Sequence, residues 1–277
     1  MYIYPFIRNF APFLRNMKAI QVFDALEQYA PLPLQDGFDN AGLQIGLTAE
    51  QEVAGALLCL DVTEAIIDEA ECMGCNLVVA HHPLLFRGLK SITGQNYVER
   101  CVIKAIRKGI GIYAAHTNLD NAEGGVNYRI AETIGLTNLS FLDAKSGTTA
   151  AGAGVIGELP TAEDEWEFLE RIKALFGIQC IRHNQLCGRK IRRVALCGGA
   201  GGFLLSNAIG QGADAFLTGE MRYHDYFGHE NDLLIAEMGH YESEQYTIDI
   251  FAEVLGRQFP ELKIVKTSLN TNPINYL

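Results

Sequence analysis

Apolar positions along the chain follow two rhythms. From Ala19 to Tyr29 they recur at helical spacing, and the turn Pro31-Leu32-Pro33 closes that segment. Val53 to Leu60 is apolar without interruption, which predicts a buried strand rather than a half-exposed one. A helix is predicted from Thr63 to Met73, with Thr63 as N-cap and Glu64 in the first turn, where a negative charge suits the helix dipole. A strand at Leu77–Ala80, a helix at Tyr97–Lys108 and a strand at Ile110–Ala115 follow. Later in the chain come an amphipathic helix at Glu165–Phe176, a short strand at Val194–Cys197 and a helix at Phe203–Ile209. Strands at Ala215–Leu217 and Leu233–Ala236 precede a long final helix, His240–Leu255.

Continuously apolar strands that alternate with helices predict an α/β fold with parallel strands covered on both faces. In such sheets ligands collect beyond the carboxyl ends of the strands. Between Lys145 and Gly157 the composition turns to Ser, Gly, Thr and Ala, which reads as a boundary or crossing loop. A length of 277 residues accommodates two domains. The expected division is 17–128 plus 237–277 as a first α/β domain that carries the metal ligands, 129–236 as a second, and 1–16 as an extension. That extension, Met1 to Asn16, has Arg8, Arg15 and two prolines among its aromatics and lacks the uninterrupted apolar core of a signal peptide.

Composition narrows the class of function. Hydrophobic residues at 48% and charged residues at 20% exclude disordered and fibrous chains. A formal net charge of -11 repels phosphodiester backbones and anionic membranes, so neither nucleic acid nor a membrane is expected as a partner. The densest basic stretch, Arg189-Lys190-Ile191-Arg192-Arg193, is short and reads as a solvated turn before a strand. Seven cysteines, an odd number spread through apolar segments, argue for a reducing compartment and hence the cytoplasm. Cys72-Met73-Gly74-Cys75 has the spacing of a redox or zinc pair but no second pair, and it reads as packing at a helix end.

The candidate chemistry lies in three pairs: His81-His82, His116-x-x-x-Asp120 and His240-x-x-x-Glu244. Imidazole with carboxylate suits zinc, iron or manganese, and a helix puts positions i and i+4 on one face. His81 and His82 end one predicted strand, and His116 ends the next. Adjacent histidines on a strand ordinarily point to opposite sides, one packed and one exposed. At a strand end, where the chain turns, both can face the crevice. Shared between two ions, five ligands drawn from these six residues leave positions open for water, whereas around one zinc-like ion they crowd. Glu244 is the better bridge, having two oxygens and coming from the other end of the chain. His116 and His224, the latter in Tyr223-His224-Asp225, are candidate catalytic proton shuttles.

At these residues the chain resembles the NGG-interacting-factor-three-like family, whose members are often labelled GTP cyclohydrolase 1 type 2 homologues. The resemblance runs from about Met17 to Leu277. It rests on Phe38-Asp39-Asn40-Ala41-Gly42-Leu43-Gln44-Ile45-Gly46, Ala80-His81-His82-Pro83, His116-Thr117-Asn118-Leu119-Asp120, Thr218-Gly219-Glu220 and Gly239-His240-Tyr241-Glu242-Ser243-Glu244. It implies two α/β domains with a dinuclear metal site in the cleft between them, in subunits that assemble as a ring-shaped homohexamer. It also implies two divalent cations per subunit, zinc, iron or manganese, held by His81, His82, Asp120, His240 and Glu244, with His116 as a nearby polar group. The Gly-rich turn Cys197-Gly198-Gly199-Ala200-Gly201-Gly202 carries Ala200 where the family commonly has serine. Its backbone N–H groups suit a phosphate cradle, and its glycines equally suit a tight turn against a helix. The expected function is a dinuclear metal-dependent hydrolase acting on a small phosphate-containing or nucleotide-like substrate. The alternative is a metal-binding or interaction protein without turnover.

Overall fold

The computed structural model describes residues 17–145 and 150–277. The extension expected at 1–16 lies outside the described residues. Along the first part of the chain run α1 (Ala19–Tyr29), β1 (Gly42–Ile45), β2 (Ala56–Cys59), α2 (Glu64–Cys72), β3 (Leu77–Ala80), α3 (Tyr97–Lys108) and β4 (Gly111–Ala114). Two helices, α4 (Thr117–Asp120) and α5 (Val126–Ile134), lead to β5 (Thr137–Ala144), β6 (Gly152–Asp164), α6 (Glu165–Phe176), β7 (Arg182–His183) and β8 (Lys190–Cys197). Then come α7 (Leu205–Gly210), β9 (Ala215–Thr218), β10 (Leu234–Glu237), α8 (His240–Glu244), α9 (Thr247–Gln258) and β11 (Ile264–Lys266).

The strands form a five-stranded sheet in the order β1-β4-β3-β2-β11 and a six-stranded sheet in the order β5-β6-β8-β9-β10-β7. In the first, β11, β2, β3 and β4 are parallel and only β1 runs against them. In the second, β8, β9 and β10 are parallel, while β5, β6 and β7 pair antiparallel. Parallel pairing therefore runs through the sheet centres, where the apolar runs lie, and reaches an edge only at β11.

Period-two alternation sorts each central strand between two cores. Leu58, Val79, Val194, Leu196, Leu217 and Ala236 face one continuous cluster that also takes in α1, α5, α6 and α9. Leu57, Cys59, Val78 and Ile112 point the other way, under α2 and α3. Ala195, Phe216 and Ile235 do the same under α7. The shared cluster thus joins the two sheets on their inner sides. The expected boundary at 128/129 falls inside α5, and β10 ends one residue beyond the expected 236.

Three local expectations are corrected. Gly152–Gly157, expected as part of a loop, is the start of the long strand β6. Residues 146–149 of that expected loop lie outside the described residues. The basic residues Lys190–Arg193 are in β8 rather than in a turn, and Arg193 and Arg192 face Glu158 across the β6 pairing. The long final helix is two helices, broken at Gln245–Tyr246. Among helix ends, Thr63 caps α2 by accepting from the Ile66 N–H at 3.3 Å. Cys75, from the Cys72–Cys75 pair, packs in the core as a free thiol, while Cys72 is exposed.

Candidate metal centre

Five strand ends converge on one place. The backbone ladder continues past β3, with His81 N–H donating to Cys59 O and His82 N–H to Leu60 O. This fixes both histidines at the carboxyl end of the sheet. Asp61 lies two residues beyond β2 and His116 two residues beyond β4, where the chain turns into α4 and carries Asp120 inward. From the second sheet, β9 leads into Gly219-Glu220, and β10 leads through Gly239 into α8, which bears His240 and Glu244 one turn apart.

Each of the four imidazoles here is held from behind by its Nδ1. His81 Nδ1 is 2.8 Å from the Ala115 carbonyl, and His82 Nδ1 is 2.7 Å from Asp61 Oδ1. His116 Nδ1 is 2.7 Å from Asp39 Oδ1, and His240 Nδ1 is 2.8 Å from Glu220 Oε1. A carbonyl or carboxylate can only accept, so each Nδ1 carries the proton, and the neutral ring keeps its lone pair on Nε2. That arrangement is the one that orients histidines toward a metal ion.

The Nε2 atoms of His81, His82 and His240 gather around Glu244, whose side chain is 4% exposed. Its Oε2 lies 2.9 Å from His82 Nε2 and 3.2 Å from His240 Nε2, while its Oε1 lies 3.7 Å from His81 Nε2. Asp120 Oδ1 is 3.6 Å from His81 Nε2. Both His81 Nε2 and Asp120 Oδ1 are buried without a hydrogen-bond partner, and His82 and His240 bring their Nε2 atoms within 3.3 Å. Buried polar atoms left unpaired are costly, and two imidazole lone pairs that close repel unless a proton or cation lies between them. A cation would answer each of these features at once. His82, His240 and Glu244 offer ligand atoms within 4.8 Å of one another, as do His81, His82 and His116. Nitrogen and oxygen donors without thiolate suit zinc, iron or manganese. Cys197 lines the same cavity, but burial pushes its thiol far up, which keeps it protonated.

The electrostatics agree. Burial, reinforced by the Glu244 charge, pushes Asp120 up to about 7. Burial also works to raise Glu244, but the charge of His81 and hydrogen bonds from His240 and His82 outweigh it and hold the carboxyl well below its usual range. Against burial, hydrogen bonds to Asp61 and Glu244 raise His82 to about 10. Against burial too, Glu244 raises His240 to about 9. At Asp39, burial is outweighed by hydrogen bonds from His116 and Thr117, which hold it at about 2.

The site opens into a cavity of about 430 Å³ whose mouth carries the exposed rings of Phe38, Phe86 and Phe203. His116 is on its wall, in edge contact with Phe86 at 6.0 Å. His224 is not among the lining residues. It is exposed on the short turn Tyr223–Tyr226, against Tyr223 and Phe227, so the structure does not bring the expected second shuttle to this cavity.

At the Gly-rich turn the packing reading prevails. Gly198 N–H is taken by Asn127 Oδ1 at 2.9 Å and Gly199 N–H by Ser243 Oγ at 3.0 Å. Gly199 has φ +55°, and a Cβ there would overlap Glu244 Oε1. Glycine is needed because the turn closes directly on the buried carboxylate.

Asp61, Asp39 and Glu220 are the residues that sequence reasoning left without a role. Asp39 and Glu220 stand inside quoted motifs, but the histidines they hold lie far from them in sequence. The one signal for Asp61 is its place immediately after an apolar strand, beside the strand that ends in His81-His82.

The model of the family described as Duf34/NIF3 (NGG1p interacting factor 3) matches residues 17–273. A protein of Clostridium perfringens named GTP cyclohydrolase 1 type 2 homolog is 32% identical over 265 residues, covering 94% of this chain and 100% of the relative. A protein of the same name from Lactococcus lactis is 34% identical over 253 residues, covering 89% and 95%. The crystal structure of Staphylococcus aureus protein SA1388 superposes with a TM-score of 0.85 at 26% identity, over 95% of this chain and 100% of that one.

Proposed function

Since the chain belongs to the Duf34/NIF3 family, we propose that it is a metal-dependent hydrolase whose two divalent cations are held by His81, His82, Asp120, His240 and Glu244. One observation carries the reading: three histidines, His81, His82 and His240, turn Nε2 toward Glu244, and two of the buried atoms there, His81 Nε2 and Asp120 Oδ1, have no partner. The two oxygens of Glu244 face different sides, Oε1 toward His81 and Oε2 toward His82 and His240, which supports its place between the ions. Bound there, the cations supply Lewis acidity that activates water near neutral pH.

The protein's own groups set the rest. Asp61 and Glu220 hold His82 and His240 in the tautomer that leaves Nε2 bare. His116, oriented by Asp39, faces the cavity with Nε2 available to take the proton lost by an attacking water. The aromatic mouth excludes water from one side of a bound molecule. A phosphate-containing or nucleotide-like substrate is favoured by the name shared by the curated relatives. The division into domains 17–128 with 237–277 and 129–236, a homohexamer, and the cytoplasm complete the proposal. The two sheets and the seven free cysteines support the first and the last, respectively.

The test is to load the protein with zinc, manganese or iron and screen phosphoesters and nucleotides. Metal-dependent hydrolysis is expected, lost by at least about 100-fold in Glu244→Gln together with occupancy of both sites, since each 1.36 kcal/mol is tenfold in rate and a bridging charge contributes several. Two ions bound by Glu244→Gln with unchanged affinity would remove the bridging role. Tight metal binding with no turnover on any substrate would favour a metal-binding protein without catalysis.

A further inference from the structure

We propose that Thr271 is a positioning residue for the metal centre, acting through Asp61 to hold the His82 ring so that Nε2 faces the ion. This rests on the reading of the cluster as a metal site. The contacts form a line. Thr271 Oγ1 donates to Asp61 Oδ2 at 2.7 Å, Asp61 Oδ1 accepts from His82 Nδ1 at 2.7 Å, and His82 Nε2 stands 2.9 Å from Glu244 Oε2. A carboxylate held at one oxygen can still swing about its broad terminal torsion. Held at both, its plane is set, and the imidazole that donates to it is set as well.

The segment bearing Thr271 has no regular structure, yet it is fastened along its length. After β11, Thr267 N–H donates to Leu58 O at 2.9 Å. Ser268 donates to Glu69 of α2 through its N–H at 2.9 Å and its hydroxyl at 2.7 Å. Just past Thr271, Asn272 Nδ2 donates to Glu242 Oε1 at 3.1 Å. Glu242 is on α8, the helix that carries His240 and Glu244. The segment therefore spans the gap between the strand-end loop that orients His82 and the helix that supplies the ligands opposite it. Its donors at both ends are neutral. A hydroxyl fixes the Asp61 carboxylate without cancelling the charge that makes His82 a stronger donor to a cation, which a lysine in its place would do.

The test compares Thr271→Val, which keeps the branched shape without the hydroxyl, with Thr271→Ser, which keeps the hydroxyl. Affinities for Zn²⁺ and Mn²⁺ are measured by competition with a chromogenic chelator, alongside the melting temperature of chelator-treated protein. Thr271→Val is expected to weaken binding by about 10-fold, the lower end for partners outside the ligand shell. Thr271→Ser restores it, and the melting temperature without metal stays put. In an Asp61→Asn background the loss from Thr271→Val should vanish, because residues acting in series are non-additive. Unchanged affinity in Thr271→Val, or a loss that simply adds to that of Asp61→Asn, overturns the proposal. If the unmodified protein bound neither ion, the metal-centre reading itself would fall instead.

Discussion

The residues of the centre pair protons with carboxylates, and this pairing would make metal binding at the proposed centre a proton exchange. Burial opposes charge on His82 and His240, yet Asp61 and Glu244 raise the first to about 10 and Glu244 raises the second to about 9. At pH 7 protons therefore compete with cations for the two Nε2 atoms. Raised histidine values mean that protonation is favoured below about 9 and fades above it, so affinity for Zn²⁺ should rise with pH up to that range. Loading at pH 7 should release on the order of one to two protons per chain. Calorimetry in buffers of differing ionisation enthalpy reads this directly, and a heat independent of the buffer would contradict it. Spacing showed where Nε2 donors cluster but not what stands behind them. Asp39, Asp61 and Glu220 are 77, 21 and 20 residues from their histidines, and only the fold brings each pair together.

Among the elements, legibility followed burial. Helices with a wide apolar stripe and a firm end, Ala19–Tyr29, Tyr97–Lys108 and Glu165–Phe176, stand where periodicity puts them. So does the strand Leu77–Ala80, buried on both faces. What escaped were strands whose side chains are partly exposed, several of them with partners distant in the chain. These include β5 and β6, rich in glycine and polar residues, and the edge strands β1, β7 and β11. Their pairing, not their own pattern, makes them strands. The break at Gln245–Tyr246 escaped for a related reason, because apolar spacing persists across it. Capping was readable, and its energetic weight can be checked. Thr63→Ala should cost about 1 kcal/mol by removing the acceptor for Ile66 N–H. Denaturant unfolding would show it as a lowered midpoint at constant slope, and metal affinity should not change. An unaltered midpoint would show the cap to be idle.

At the scale of the whole molecule, the inner faces of both sheets share one core, so the cleft is framed by elements that cannot shift independently without disturbing it. No described helix is long and apolar enough to cross a membrane. Several large side chains remain exposed, among them Tyr223 at 71% and Phe227 at 58%, with rings 5.4 Å apart on one turn. Such a patch gains by association. Light scattering at micromolar concentration is expected to give a sixfold multiple of the 30.5 kDa chain mass, and a value at 30.5 kDa would remove the hexamer.

The order of strands in the first sheet also sets a timetable. β2 lies between β3 and β11, so a strand made early waits for one made more than 200 residues later. Until residues 264–266 leave the ribosome, one edge of β2 stays open to any other extended chain, a hazard that slow, non-local pairing prolongs. Glu244 and His240 arrive in the same late stretch. During synthesis, then, the early histidines have no complete cage, and a stray ion captured by them would be loosely held. In the proposed metal centre, ion selection would wait for His240 and Glu244, and β11 follows them to cover the exposed edge of β2.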